Sequence, residues 1–142
     1  MRTQSQSRRA GFTLAELMVV IVIIGLLAGY VAPRYFAQVG KSEVQVTRAQ
    51  IDAFEKALEQ YRLDVGTYPS TAHGLAALLT SPASTPRWQG PYLKKAVPPD
   101  PWGNPYQYRF PAAPGRSAEF DLLSLGRDGQ PGGTGDAADL TN

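Results

Sequence analysis

A chain of 142 residues with 43% hydrophobic content can build one modest domain and one long extra element, not two full cores. Its formal charge of +2 comes from a basic leader: setting aside Arg2, Arg8 and Arg9, the 14 basic residues fall to 11 against 12 acidic ones, a balance of −1. With no run of Lys or Arg interleaved with aromatics, nucleic-acid binding is excluded, and with no cysteine so are disulfides and thiolate metal sites, leaving a thin core to be reinforced by other means.

Residues 1–11 are polar and basic, and residues 12–32 are almost wholly apolar, with 17–24 unbroken by any polar side chain. As a helix this run reaches about 30 Å, the thickness of a bilayer core. Basic residues before it and the longer segment after it place the N-terminus in the cytoplasm and the remainder across the membrane. The alternative is a secretory signal with Arg8 and Arg9 as its basic region, 17–28 as its apolar region and a cut near Ala28. Against it stand Glu16 near the start of the run and a helical pattern that continues past Ala32.

The junction Arg9-Ala10-Gly11-Phe12-Thr13-Leu14-Ala15-Glu16 resembles the type III signal of type IV pilins and type II secretion pseudopilins. The resemblance implies that a prepilin peptidase cuts after Gly11, that the new terminus Phe12 is N-methylated, and that Glu16 pairs with the terminal amine of a neighbouring subunit in a helical homopolymer. Such a cut removes the polar leader and keeps the anchor. A carboxylate inside a span costs roughly 2.5–3.5 kcal/mol near the centre and less toward the end, so Glu16 needs a partner. It finds one either in that ammonium or by reaching the interface or its own helix terminus. Gly25 and Gly29 form a small-xxx-small pair, a weak signal for close helix approach. Gly25 and Pro33 lower helix stability, and the family's filaments loosen the helix between such positions.

Beyond Pro33 the pattern turns amphipathic: Val44, Ile51, Leu58 and Val65 recur every seven residues with Phe54 and Tyr61 on the same face. The opposite face carries Glu43, Arg48, Asp52, Lys56, Glu59 and Arg62 and is expected to meet solvent or a neighbouring subunit. A coiled coil would be short, so the stripe is read as the dock for a small domain on the C-terminal half of one helix running over about 13–65. Gly66 and Tyr68-Pro69 end it, and residues 74–79 predict a short second helix. Tyr106, Tyr108 and Phe110, then Phe120 and Leu122, alternate with polar residues and predict two short paired strands joined by a connection too long for a tight hairpin. His73 has no second His, Cys, Ser or carboxylate at a catalytic spacing and reads as an exposed loop residue; Trp88, Trp102 and the tyrosines read as core and subunit contacts. No active site is visible, and the chain reads as no enzyme.

The tail from Ser124 onward is acidic and glycine-rich. It is either a frayed terminus or a loop whose glycines bring Asp128, Asp136 and Asp139 together, hard oxygen ligands suited to Ca2+. Its last residues look too polar to dock by burial.

Tyr68-Pro69, Gly74-Leu75-x-Ala77-Leu78, Gly90-Pro91-Tyr92-Leu93, Asp100-Pro101-Trp102-Gly103-Asn104-Pro105-Tyr106 and Ser124-Leu125-Gly126-x-Asp128-Gly129 are closely similar to the general secretion pathway protein G family, the major pseudopilins of type II secretion. The resemblance implies an α+β, type IV pilin-like fold: a long N-terminal helix packed on a small antiparallel sheet, with a C-terminal calcium loop. The implied parts are a leader at 1–11, a transmembrane and filament-core helix at 12–33, and a periplasmic domain at 34–142. One Ca2+ would be held by the side chains of Asp128, Asp136 and Asp139 and carbonyls such as those of Leu125 and Gln130. Implied partners are further copies of the chain, minor pseudopilins, the inner-membrane secretion platform and the prepilin peptidase, in a periplasmic pseudopilus that aids export of folded proteins across the outer membrane. A type IV pilin for adhesion, motility or DNA uptake is the alternative, disfavoured because those pilins usually close their C-terminal region with a cysteine pair. The family commonly continues past the final Asn with a Trp, absent here, and the stretch 111–115 looks longer than usual.

Overall fold

The computed structural model describes residues 11–83 and 85–142, without the side chains of Ala37 and Asp136; the leader arginines Arg2, Arg8 and Arg9 lie outside the described residues. The chain divides into two compact units, one ending at Gln38 and the other spanning Val39–Asn142.

Helix α1 spans Leu14–Val65. In the first unit every large apolar side chain from Phe12 to Phe36 is at least 45% exposed, and the helix contains an 18-residue window of mean hydropathy 2.5, long and apolar enough to cross a membrane. Pro33 lies inside α1 without interrupting it, although its missing N–H leaves the Gly29 carbonyl without its usual intrahelical donor. The loosening implied for filaments is thus absent from the single chain. At the far end Gly66, at φ 95°, donates to the Arg62 carbonyl (2.7 Å), a left-handed stop that a glycine takes without strain.

The second unit is built on residues 39–65 of α1. Ile51, Phe54, Ala57, Leu58 and Tyr61 are buried, and Val44 and Val65 pack at the edge of the same core, so the seven-residue stripe is the dock. A 3-10 helix at Gly74–Leu78 brings Leu75, Ala77 and Leu78 to this face. The sheet has the order β1-β2-β3, with β1 at Gln107–Arg109, β2 at Asp121–Ser124 and β3 at Leu140–Thr141, all antiparallel. Tyr108 lies opposite Leu122, and Ser124 opposite Leu140. Leu58, Leu78 and Leu122 are fully buried, each worth about 1.5–3 kcal/mol relative to exposure. Phe54 meets Tyr106 edge-on at 5.1 Å, and Tyr68 meets Phe120 at 4.9 Å.

β3 corrects the expectation that the tail is too polar to dock. Leu140 is 9% exposed and joins the core. Asn142 donates its N–H to the Leu122 carbonyl (3.0 Å), accepts from the Leu122 amide through Oδ1 (3.1 Å) and donates from Nδ2 to the Phe120 carbonyl (3.2 Å). An open strand edge recruits backbone irrespective of side-chain polarity, and here the polar side chain adds two bonds of its own.

Candidate functional site

The amino-terminal site surrounds the start of α1. Gly11 and Phe12 precede the helix and are exposed. A Cβ at Gly11 would meet nothing within 4 Å, so no contact among the described residues requires a glycine there. Thr13 Oγ1 accepts from the Glu16 amide (3.2 Å), and Glu16 Oε2 accepts from the Thr13 amide (2.8 Å) and hydroxyl (3.0 Å). This reciprocal capping box satisfies donors that a helix start leaves orphaned. Of the fates open to Glu16, the single chain shows the carboxylate held at its own helix terminus. Gly25 and Gly29 likewise have open space where a Cβ would stand, so their smallness serves no contact among the described residues. Toward the end of the apolar run the Arg34 guanidinium lies 4.7 Å over the Tyr30 ring, beside Tyr35 and Phe36. Sequence reading passed over this group; aromatic and basic residues ending an apolar run mark a membrane interface.

The second site is the loop between β2 and β3. Gly126, at φ 66°, passes so close to the 137–138 backbone that a Cβ would stand 2.8 Å from the Ala138 carbonyl oxygen. Gly133, at φ 83°, approaches the Ala137 carbonyl oxygen more closely still, leaving no room for a Cβ. The glycines therefore do fold the loop back on itself. Asp128 Oδ1 accepts from the Gln130 amide (3.1 Å), and Asp139 Oδ2 from the Gly132 amide (2.9 Å). The other Asp139 oxygen, Oδ1, is buried and meets no donor among the described residues. Asp136 lies in a 3-10 turn at Gly135–Ala137, its side chain outside those described; among the described residues no three ligating side chains gather. Leu125 is buried beneath the loop and Gln130 is exposed.

Two further groups tie this loop to the rest of the unit. Asp100 is buried: its Oδ1 accepts from the Asn104 (2.7 Å) and Trp102 (3.2 Å) amides, and its Oδ2 from the Ser124 hydroxyl (2.6 Å). Asn104 Nδ2 donates to the Gly126 carbonyl (2.7 Å). Glu43, expected on the solvent face, is half-buried, its Oε2 accepting from the Trp102 indole (2.9 Å) and the Arg127 guanidinium (3.0 Å). Its neighbours on that face, Arg48, Asp52, Lys56, Glu59 and Arg62, are exposed as expected. Elsewhere the Tyr68 hydroxyl sits between the Glu59 and Glu119 carboxylates and accepts from Arg62. Burial first, then the Glu59 bond, pushes the phenol up to about 12. His73 is exposed, its Nδ1 2.9 Å from the Ser70 hydroxyl.

Two family profiles match the chain. "Prokaryotic N-terminal methylation motif" matches residues 6–32, and "Type II secretion system (T2SS), protein G" matches residues 34–142. The chain is 47% identical over 139 residues to the type II secretion system core protein G of Pseudomonas aeruginosa, covering 95% of each. It is 45% identical over 138 residues to that of Vibrio cholerae, covering 95% of this chain and 92% of the relative. Its fold matches the crystal structure of the major pseudopilin from the type 2 secretion system of enterohaemorrhagic Escherichia coli with a TM-score of 0.57 and 36% sequence identity, covering 72% of this chain and 87% of that one.

Proposed function

The chain belongs to the type II secretion system protein G family, the major pseudopilins, and on that premise we propose that it is cut after Gly11, anchored by residues 12–33 and polymerised into a periplasmic pseudopilus that aids export of folded proteins. It is a structural subunit. The alternative of a type IV pilin is not favoured, since the matched relatives are secretion proteins and the profile covers the whole globular unit.

The observation that carries the reading is the apolar face of α1, exposed throughout the first unit. Before assembly lipid covers it; in a filament other copies do, with Gly25 and Gly29 leaving room for close approach. Tyr30 near the end of the run marks an interface, and the three leader arginines against Arg34 beyond it support an N-in, C-out span. Once Gly11 is removed, Phe12 bears an ammonium that methylation leaves charged, and the Glu16 carboxylate can exchange its capping-box partners for that group on a neighbour. Minor pseudopilins, the inner-membrane platform and the prepilin peptidase are the partners this role calls for.

The C-terminal loop fits one Ca2+. Asp139 Oδ1, a buried carboxylate oxygen without a donor among the described residues, is what a hard cation would satisfy, and Asp128 and Asp136 with the Leu125 and Gln130 carbonyls would complete an all-oxygen set. The ion would supply only charge neutralisation and cross-linking of the loop.

The test is a deletion strain complemented with the wild-type gene or Gly11→Val. Wild type should restore export and yield a mature protein beginning at Phe12 by mass spectrometry, whereas Gly11→Val should accumulate as uncut, unassembled precursor. A mature start near Gly29 would instead establish a secretory signal.

A further inference from the structure

We propose that Asn104, braced by Asp100, is a positioning residue that presets the first half of the C-terminal loop for a divalent cation; this role rests on the calcium reading above. The loop's second half is held by bonds of its own, from the Gly132 amide to Asp139 and from the Asp139 amide to the Gly132 carbonyl (3.2 Å). Its first half, 124–129, lies against the 100–104 loop. Asn104 Nδ2 donates to the Gly126 carbonyl (2.7 Å), and its Oδ1 lies so close to Gly129 that a Cβ there would stand 3.1 Å away. Asn104 thus touches backbone on both sides of Arg127-Asp128. Asp100 fixes Asn104 by accepting its amide, while their partners close the frame: the Asp100 amide donates to the Asn104 carbonyl (2.8 Å), and Ser124 Oγ, which donates to Asp100, accepts from the Gly126 amide (3.2 Å). The peptide that joins Leu125 to Gly126, whose oxygen is a candidate ligand, is therefore gripped at the Gly126 nitrogen and again at the next carbonyl. A ligand frame set in advance lowers the ordering cost of binding, and outer partners of this kind are worth roughly 10–100-fold in metal affinity.

Calorimetric titration of Ca2+ into the chelator-stripped full chain in detergent micelles, with thermal melts in calcium and in chelator, separates this role from plain stabilisation. Asn104→Ala should bind Ca2+ roughly 10–100-fold more weakly than wild type, and its calcium and chelator midpoints should draw together. Asn104→Asp keeps the shape, loses the donor to Gly126 and adds negative charge. Positioning predicts weaker binding, whereas a loop governed by charge alone would bind more tightly. Unchanged affinity with both midpoints lowered in parallel, or tighter binding by Asn104→Asp, overturns the proposal and leaves the calcium reading standing. Wild type that takes up no Ca2+, like an Asp128→Ala control, removes both.

Discussion

Glu16 is asked to do two things with one carboxylate. In the single chain it closes the capping box with Thr13, and in the assembly reading it neutralises the Phe12 ammonium of a neighbour. The capping signature Thr13-x-x-Glu16 was legible in the sequence, where the pilin-like motif drew attention to the charge instead. Glu16→Leu should still insert, because the apolar run is intact, yet enter filaments poorly; a normal yield of sheared filaments from that variant would remove Glu16 from assembly. A second residue-scale consequence concerns pH. Tyr106, buried and donating to Gln50, has its phenol pushed up to about 12 by burial and by nearby Asp100, as burial does for Tyr68. The unfolded phenol titrates near 10, so the folded state binds the proton more tightly. The stability this contributes is whole below about pH 10 and is lost as pH rises from about 10 to about 12. Urea melts across that range should show a steep alkaline loss for wild type and a shallower one for Tyr106→Phe.

At the scale of elements, α1 was readable because fifty-two residues repeat one pattern after another, lipid-compatible and then amphipathic, and each residue reinforces the assignment. β1 and β2 were readable from their aromatic and aliphatic alternation. β3 was not: two residues carry no period, and its place is decided by the open edge of β2 and by the loop's glycines. The half-burial of Glu43 was hidden for a related reason, since its partners lie 59 and 84 positions away. Because Leu140 belongs to the core, Leu140→Ala should cost about 2–5 kcal/mol in denaturant unfolding, where a frayed tail would tolerate it. Gly133→Ala, forced against the Ala137 carbonyl at a positive φ, should loosen the loop and expose it to protease.

For the molecule as a whole, the calcium reading would draw carboxylates together that repel one another without a cation, and a unit with so small a core has little reserve. Saturating Ca2+ at a hundred times its dissociation constant would add about 2.7 kcal/mol, a shift in thermal midpoint of roughly 10 °C for a domain of this size. Asp128→Ala in calcium should melt near wild type in chelator, and chelator should leave the variant almost unmoved. The acidic positions were legible as candidate ligands from residue type alone; the frame of Asp100, Asn104 and Ser124 that holds the backbone at Gly126 was not, because it joins segments more than twenty residues apart. The place of β3 in the sheet also sets a timetable. Residues 140–142 complete the edge of β2, and Leu140 fills the core on α1. Helical turns form from neighbours within microseconds, but this closure waits for β2 and β3 to meet across the loop between them. Until residues 140–142 pair with β2, the unit is a helix with an unfinished sheet. Over that interval the apolar stripe of α1 stands partly open, and the second unit is complete only once β3 is paired.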